Sequence, residues 1–229
     1  MAFDSKFLKG NVQVNIPQDK TTKFIDISPL INEDYAVFPG DTAFKRTVAL
    51  DFTKGDNLVL SDMQTSMHIG AHVDAPNHYH PDGMGIDKRD LSLYFGPVQV
   101  ITVNIPRGET IKPKDITTEI KAPRVLFKTG SFPDLTIFNM DFNGIHFETI
   151  QFLAKNGVRL VGIDTPSVDP ADSKELPCHN EIYKNDMAIL EGIVLDQVKD
   201  GLYTLCALPL KIEGADASPV RAVLIQGDL

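Results

Sequence analysis

Cysteine is scarce in this chain: Cys178 and Cys206 are the only two among 229 residues. Two cysteines make no disulfide framework, and a reducing cytoplasm is the expected location. No apolar run approaches the length of a membrane span, and residues 1–15 hold no apolar core of signal-peptide length. Positive charge is also in deficit. Lys and Arg total 22 against 31 Asp and Glu, a net charge of −9, with no basic cluster. Nucleic acid and anionic membrane are therefore poor candidates as partners. There is no internal repeat, no low-complexity linker and no Gly-x-Ser-x-Gly elbow, so a nucleophilic serine of that type is excluded.

What is present suffices for one folded unit. Hydrophobic residues make up 42% and charged residues 23%, enough apolar material for a sizeable core and too little charge for disorder. Residues 1–20 are polar and read as a loose arm, leaving 21–229 as a single domain.

The most informative passage is His68-Ile69-Gly70-Ala71-His72-Val73-Asp74-Ala75-Pro76-Asn77-His78. Three imidazoles and one carboxylate fall within eleven residues, all at even positions. Side chains alternate faces along a strand, so a strand over 68–74 aims His68, His72 and Asp74 into one space. Pro76 lacks an N–H and ends regular pairing, letting His78 curl back from the next loop. Imidazole plus carboxylate is the ligand set of zinc, manganese and iron. A helix fits less well: Gly70, Val73 and Pro76 oppose it, and no Glu follows His68 as in the His-Glu-x-x-His helix. A solvated histidine-rich loop is the bland alternative.

Elsewhere, 24–28, 98–103 and 124–127 read as strands, 37–41 as a strand end entering a turn, and Pro113 with Asp115 as a helix start. Phe147, Ile150, Leu153 and Ala154 recur at helical spacing and Asn156-Gly157 ends that helix. A buried strand over 158–164 follows, and 187–195, 203–210 and 220–226 are strand-like. This order predicts an α/β fold with a mixed, partly barrel-like sheet and flanking helices. Glu191 closes an apolar run, Met187-Ala188-Ile189-Leu190. A carboxylate there is either paired or metal-bound, or sits exposed at a strand end. Both readings stand at this point.

The block 68–78 resembles the defining motif of the cyclase family, His-x-Gly-Thr/Ala-His-x-Asp-x-Pro-x-His. The resemblance runs on through Asp26-Ile27-Ser28, Phe38-Pro39-Gly40-Asp41, Gly162-Ile163-Asp164, Ser167-Val168-Asp169-Pro170, His179 with Glu191, Ala207-Leu208-Pro209-Leu210 and 214–222. The C-terminal blocks point to the formamidase branch. The resemblance implies a swivelling β/β/α domain and two divalent metal ions per chain, Zn2+ or else Mn2+. It makes His68, His72 and Asp74 ligands of the first ion. Asp74 and Glu191 bridge to the second, which His179 completes. His78 becomes the general acid/base, near enough to the second ion to ligate it too. The implied substrate is a small aryl formamide, N-formyl-L-kynurenine, hydrolysed to L-kynurenine and formate by a homodimer. A ring-amide hydrolase of the isatin type and a silent metal-binding module are the alternatives. Two positions depart from the pattern: Phe38, a substrate-binding position, replaces the usual Trp, and Ala71 replaces Thr.

Other candidates have plain readings. His80 is expected on the surface, His146 at a helix start, and Cys178 as a buried free thiol. Asp164 and Asp169 flank Pro166 and either organise that loop or serve the pocket, and Asp216 and Ser218 serve a turn. Tyr79, with Phe38, is a stacking surface for an aryl group or ordinary packing.

Overall fold

The computed structural model describes residues 22–227, so the expected arm over 1–20 lies outside the described residues. The first strands are β1 (Lys23–Asp26), β2 (Lys45–Leu50), β3 (Leu60–Gln64), β4 (His72–Asp74), β5 (Phe95–Thr102) and β6 (Thr110–Ile111). They are followed by β7 (Arg124–Lys128), β8 (Gly144–Ile145), α1 (Phe147–Lys155), β9 (Leu160–Ile163) and α2 (Pro177–Lys184). The chain closes with β10 (Ala188–Glu191), β11 (Gly201–Cys206), β12 (Ala217–Pro219) and β13 (Val223–Gln226).

Nine strands form one sheet in the order β1-β13-β11-β5-β7-β9-β10-β4-β12, curled into a half-barrel. Its centre, β5-β7-β9-β10, is parallel, and every other pairing in it is antiparallel. The parallel strands are covered on both faces, which is why they read as near-continuous apolar runs. The α/β expectation holds: a mixed, partly closed sheet with few helices.

Alternation along the strands sorts the core into two clusters. Val125, Phe127, Val161, Ile163 and Ile189 pack with Ile150 and Leu153 of α1 and with Cys178 and Ile182 of α2. Leu126, Leu160, Leu190 and Val73 face the other way, with Leu205 and Leu224. Parity then places the site. Glu191 shares the Ile189 face of β10, while His72 and Asp74 lie opposite Val73 on β4. All three carboxylate and imidazole groups therefore emerge on the face covered by the helices.

Helix α1 starts where its capping permits. His146 accepts the N–H of Glu148 through Nδ1, and Asn156 closes the last turn. Some expectations fall short: the strands expected over 187–195 and 203–210 end at Glu191 and Cys206. Pro113 opens only a 3-10 turn, Pro113–Asp115, before the chain returns to an extended form. Residues 37–41 are a loop with a turn at Pro39-Gly40 and no strand. Among the described residues no helix is long and apolar enough to cross a membrane.

Candidate metal centre

Strands β4 and β10 pair antiparallel, with His72 opposite Glu191 and Asp74 opposite Ile189. His72 Nε2 lies 3.2 Å from Glu191 Oε2 and 3.6 Å from Asp74 Oδ1. His68 arrives by another route. The expected strand over 68–74 begins only at His72. Gly70 takes φ +61, turning the chain just before the strand. That turn brings His68 Nδ1 to 3.1 Å from Asp74 Oδ1. Gly192, also left-handed at φ +64, abuts the same turn: a Cβ there would stand 2.1 Å from the Gly70 carbonyl oxygen.

The remaining side chains come from a turn and a helix. Pro76–His78 forms a 3-10 turn that sets the His78 ring over His68, with centroids 4.1 Å apart. His179 sits in α2, with Nε2 3.5 Å from Asp74 Oδ2 and 3.8 Å from Glu191 Oε1. The fold thus brings together His68, His72, Asp74, His78, His179 and Glu191. Glu191 is 2% exposed, which removes the reading of an open strand end.

The electrostatics are those of a crowded, dry cluster. Burial opposes ionisation of Asp74, yet the facing imidazoles hold its carboxyl well below the usual range. Burial works against charge on His179 too, but Asp169 and Asp74 raise it to about 10. Against the same burial, Asp74 and Asp216 raise His68 to about 9. His78 moves the other way. Burial, then the neighbouring His68 and His179, hold it below its ordinary value despite Asp74.

Divalent cations suit this donor set. His72 Nε2 and both Asp74 oxygens are buried and have no hydrogen-bond partner, although nitrogen and oxygen atoms crowd around them. Buried polar atoms are nearly always satisfied, so three orphans at one point call for a missing partner. Donor atoms of His68, His72 and Asp74 lie within 4.8 Å of one another, as do those of Asp74, His78 and His179. Imidazole and carboxylate together favour zinc-like ions.

His68, His72, His78, His179 and Glu191 line a cavity of about 210 Å³ together with Val37, Phe38, Phe138, Pro166 and Leu176. Phe38 packs edge to face on Phe138, with centroids 5.1 Å apart. Tyr79 lines a different cleft and lays its ring on His179 at 5.1 Å. His80 stacks on Tyr183 and His146 caps α1, so neither joins the centre. Cys178 is fully buried in the core. Asp164 accepts N–H bonds from Thr129 and Gly130. Sequence reasoning left Asp169 between a loop and a pocket role and gave Asp216 to a turn, and it missed the histidine that each one meets. Asp169 lies 2.7 Å from His179 Nδ1 and Asp216 3.0 Å from His68 Nε2. Neither has a spacing that ties it to its histidine.

The Cyclase family model matches residues 25–170. A kynurenine formamidase of Maricaulis maris is 42% identical over 204 residues, spanning 88% of this chain and 97% of that protein. One from Bacillus cereus is 39% identical over 207 residues, spanning 90% and 98%. A solved structure described as a potential metal-dependent hydrolase with cyclase activity superposes with a TM-score of 0.78. It is 27% identical, and the match covers 91% of this chain and all of that one.

Proposed function

The chain belongs to the cyclase family, and we propose that it is a kynurenine formamidase, hydrolysing N-formyl-L-kynurenine to L-kynurenine and formate. The observation that carries this reading is the orphaned His72–Asp74 donor set at the wall of an aromatic-lined cavity. Identity of 39–42% with formamidases over most of the chain supports the same substrate.

His68, His72 and Asp74 are assigned to one divalent ion, and His179 to a second, with Asp74 and Glu191 shared. Zn2+ is the favoured ion and Mn2+ the alternative. Bound ions supply Lewis acidity: they polarise a carbonyl oxygen and make water acidic. The chain's own residues do the rest. His78, held neutral at pH 7, takes a proton as water oxygen bonds to the formyl carbon. It delivers that proton to the anilide nitrogen as the carbon–nitrogen bond breaks. Phe38 and Phe138 give the aryl ring an apolar wall. Asp41 also lines the cavity, bonded to Ser66 Oγ at 3.0 Å, and offers a counter-charge to the substrate ammonium.

The β2–β3 hairpin forms its own two-stranded sheet and exposes Leu60 and Met63. Isolated hairpins are marginal in water, which supports a homodimer that covers it. Two free cysteines suit a reducing cytoplasm. The test is steady-state hydrolysis of formylkynurenine beside isatin and formanilide, with metal content measured on the same sample. Formylkynurenine is expected to have the highest kcat/KM; preference for isatin would overturn the assignment. Asp41→Asn is expected to raise KM for formylkynurenine more than for formanilide.

A further inference from the structure

Each of the three inner histidines points one ring nitrogen at the carboxylates and the other at a fixed acceptor. His72 Nδ1 lies 2.9 Å from the Gly70 carbonyl oxygen. His179 Nδ1 lies 2.7 Å from Asp169 Oδ2, and His68 Nε2 lies 3.0 Å from Asp216 Oδ2. Carbonyl and carboxylate oxygens only accept, so the nitrogen facing each one carries the hydrogen. The opposite nitrogens face carboxylates as well, so it is a bound cation that would displace any hydrogen there and take the lone pair, the hydrogen on the first nitrogen staying with its fixed acceptor. Those opposite nitrogens are His72 Nε2, His179 Nε2 and His68 Nδ1, the three that face Asp74 or Glu191 at 3.1–3.8 Å.

We propose that Asp169 and Asp216 are positioning residues that fix the tautomers of His179 and His68, so that both present lone pairs to a metal ion. The proposal rests on the reading of this cluster as a metal centre. Carboxylate–histidine pairs of this kind orient metal-binding imidazoles generally.

Asp169 is the stronger of the two. It is 1% exposed, and both its oxygens accept hydrogen bonds. Oδ1 accepts the N–H of Cys178, and Oδ2 accepts both the backbone N–H and the ring of His179. One carboxylate thus closes the first turn of α2 and orients the ring that α2 carries. In the Asp169→Asn protein one oxygen becomes an NH2. Either orientation then sets donor against donor, at Cys178 N–H or at His179. The ring escapes by moving its hydrogen to Nε2, the ligand position. The Asp216 side chain is 49% exposed, so water can replace its acceptor and its effect is smaller.

The experiment measures zinc affinity by chelator competition, melting of the metal-free proteins, and imidazole ¹⁵N spectra of the zinc-loaded proteins. Wild type, Asp169→Asn and Asp216→Asn are compared. Asp169→Asn is expected to lose about 10–100-fold in affinity for the ion that His179 holds, with the His179 Nδ1–H signal lost. Asp216→Asn is expected to lose less than about tenfold, still measurably. Asp169→Ser keeps an acceptor for the α2 N–H groups but does not reach the ring. It is the second variant should the first fail to fold, with the same loss of affinity expected. Unchanged affinity and spectrum in either Asp169 variant, with only lower melting, would make Asp169 a helix cap and overturn the proposal. Failure of wild type to bind zinc overturns the metal reading itself.

Discussion

The two ends of the nine-stranded sheet treat charge in opposite ways. At the β10-β4-β12 end, Asp74 and Glu191 are buried beneath three imidazoles, and both Asp74 oxygens have no hydrogen-bond partner. At the β1-β13 end, Asp26 and Arg221 pair in the open, and Arg221 Nε contacts both carboxylate oxygens at 2.9 and 3.0 Å. The open pair has ample water and needs no other explanation. The buried group does: clustered carboxylates out of water cost stability unless something compensates them. The contrast separates charge kept for chemistry from charge that decorates a surface, and each experiment below can break it.

The largest effect belongs to the proposed ligands. His68→Ala is expected to abolish metal loading and activity together, read by elemental analysis and turnover on one preparation. Wild type purified without chelator is expected to approach two metal equivalents per chain. A firm value of one with full activity would leave one of the two carboxylates without its bridging role. Glu191→Gln is expected to lower metal content and the melting temperature of the loaded protein, because bound metal stabilises the folded state by mass action. Unchanged content and melting would reduce the β10 end to the same standing as the β1 end.

Next comes His78, the most exposed imidazole of the cluster. Its removal is expected to lower kcat by about 10²–10⁴ while the first ion stays bound. Normal turnover in His78→Ala would remove the acid/base from the scheme.

Gly192→Ala tests the backbone beneath the site. The substitution puts a side chain at φ +64 and a Cβ 2.1 Å from the Gly70 oxygen that holds His72. Left-handed strain alone costs about 1–3 kcal/mol, read as a lower denaturant midpoint. Zinc affinity is expected to fall with it. A variant with reduced stability but intact affinity would show that His72 is oriented by something other than the Gly70 carbonyl.

Much of this was legible beforehand because it depends on local rules. Alternation put His72 and Asp74 on one face, and helical spacing with Asn156-Gly157 marked α1. His68 obeyed no such rule: Gly70 breaks the strand, and a turn delivers the side chain that parity seemed to deliver. Glu191 could be read two ways because burial is decided by what packs over a strand, here α2 and the Gly70 turn. Asp169 and Asp216 were out of reach for the same reason. Each meets its histidine through tertiary packing, across loops whose course no periodicity sets. Phe138 joins Phe38 in the cavity from exactly such a distance, a hundred residues on.

The smallest effect is expected at the open end of the sheet. Asp26 is held below its ordinary pKa chiefly by its hydrogen bond to Arg221, with the Ser28 N–H helping against slight burial. A folded-state pKa below the unfolded one means the pair stabilises the fold above the unfolded value, about 3.9. That contribution fades as pH falls through the lower, folded value. Asp26→Asn should therefore matter at neutral pH and not in strong acid. Both partners face water, so side-chain entropy and screening leave little: a melting shift of about 2 °C or less at low salt, smaller still at about 1 M salt, where charges are screened within roughly 3 Å. Melting curves of wild type and Asp26→Asn at neutral and acid pH, each at two salt concentrations, measure this. A large, salt-insensitive loss would mean that Asp26 anchors the β1 edge as firmly as Asp74 is proposed to anchor the metal centre, and the distinction between the two ends would fail.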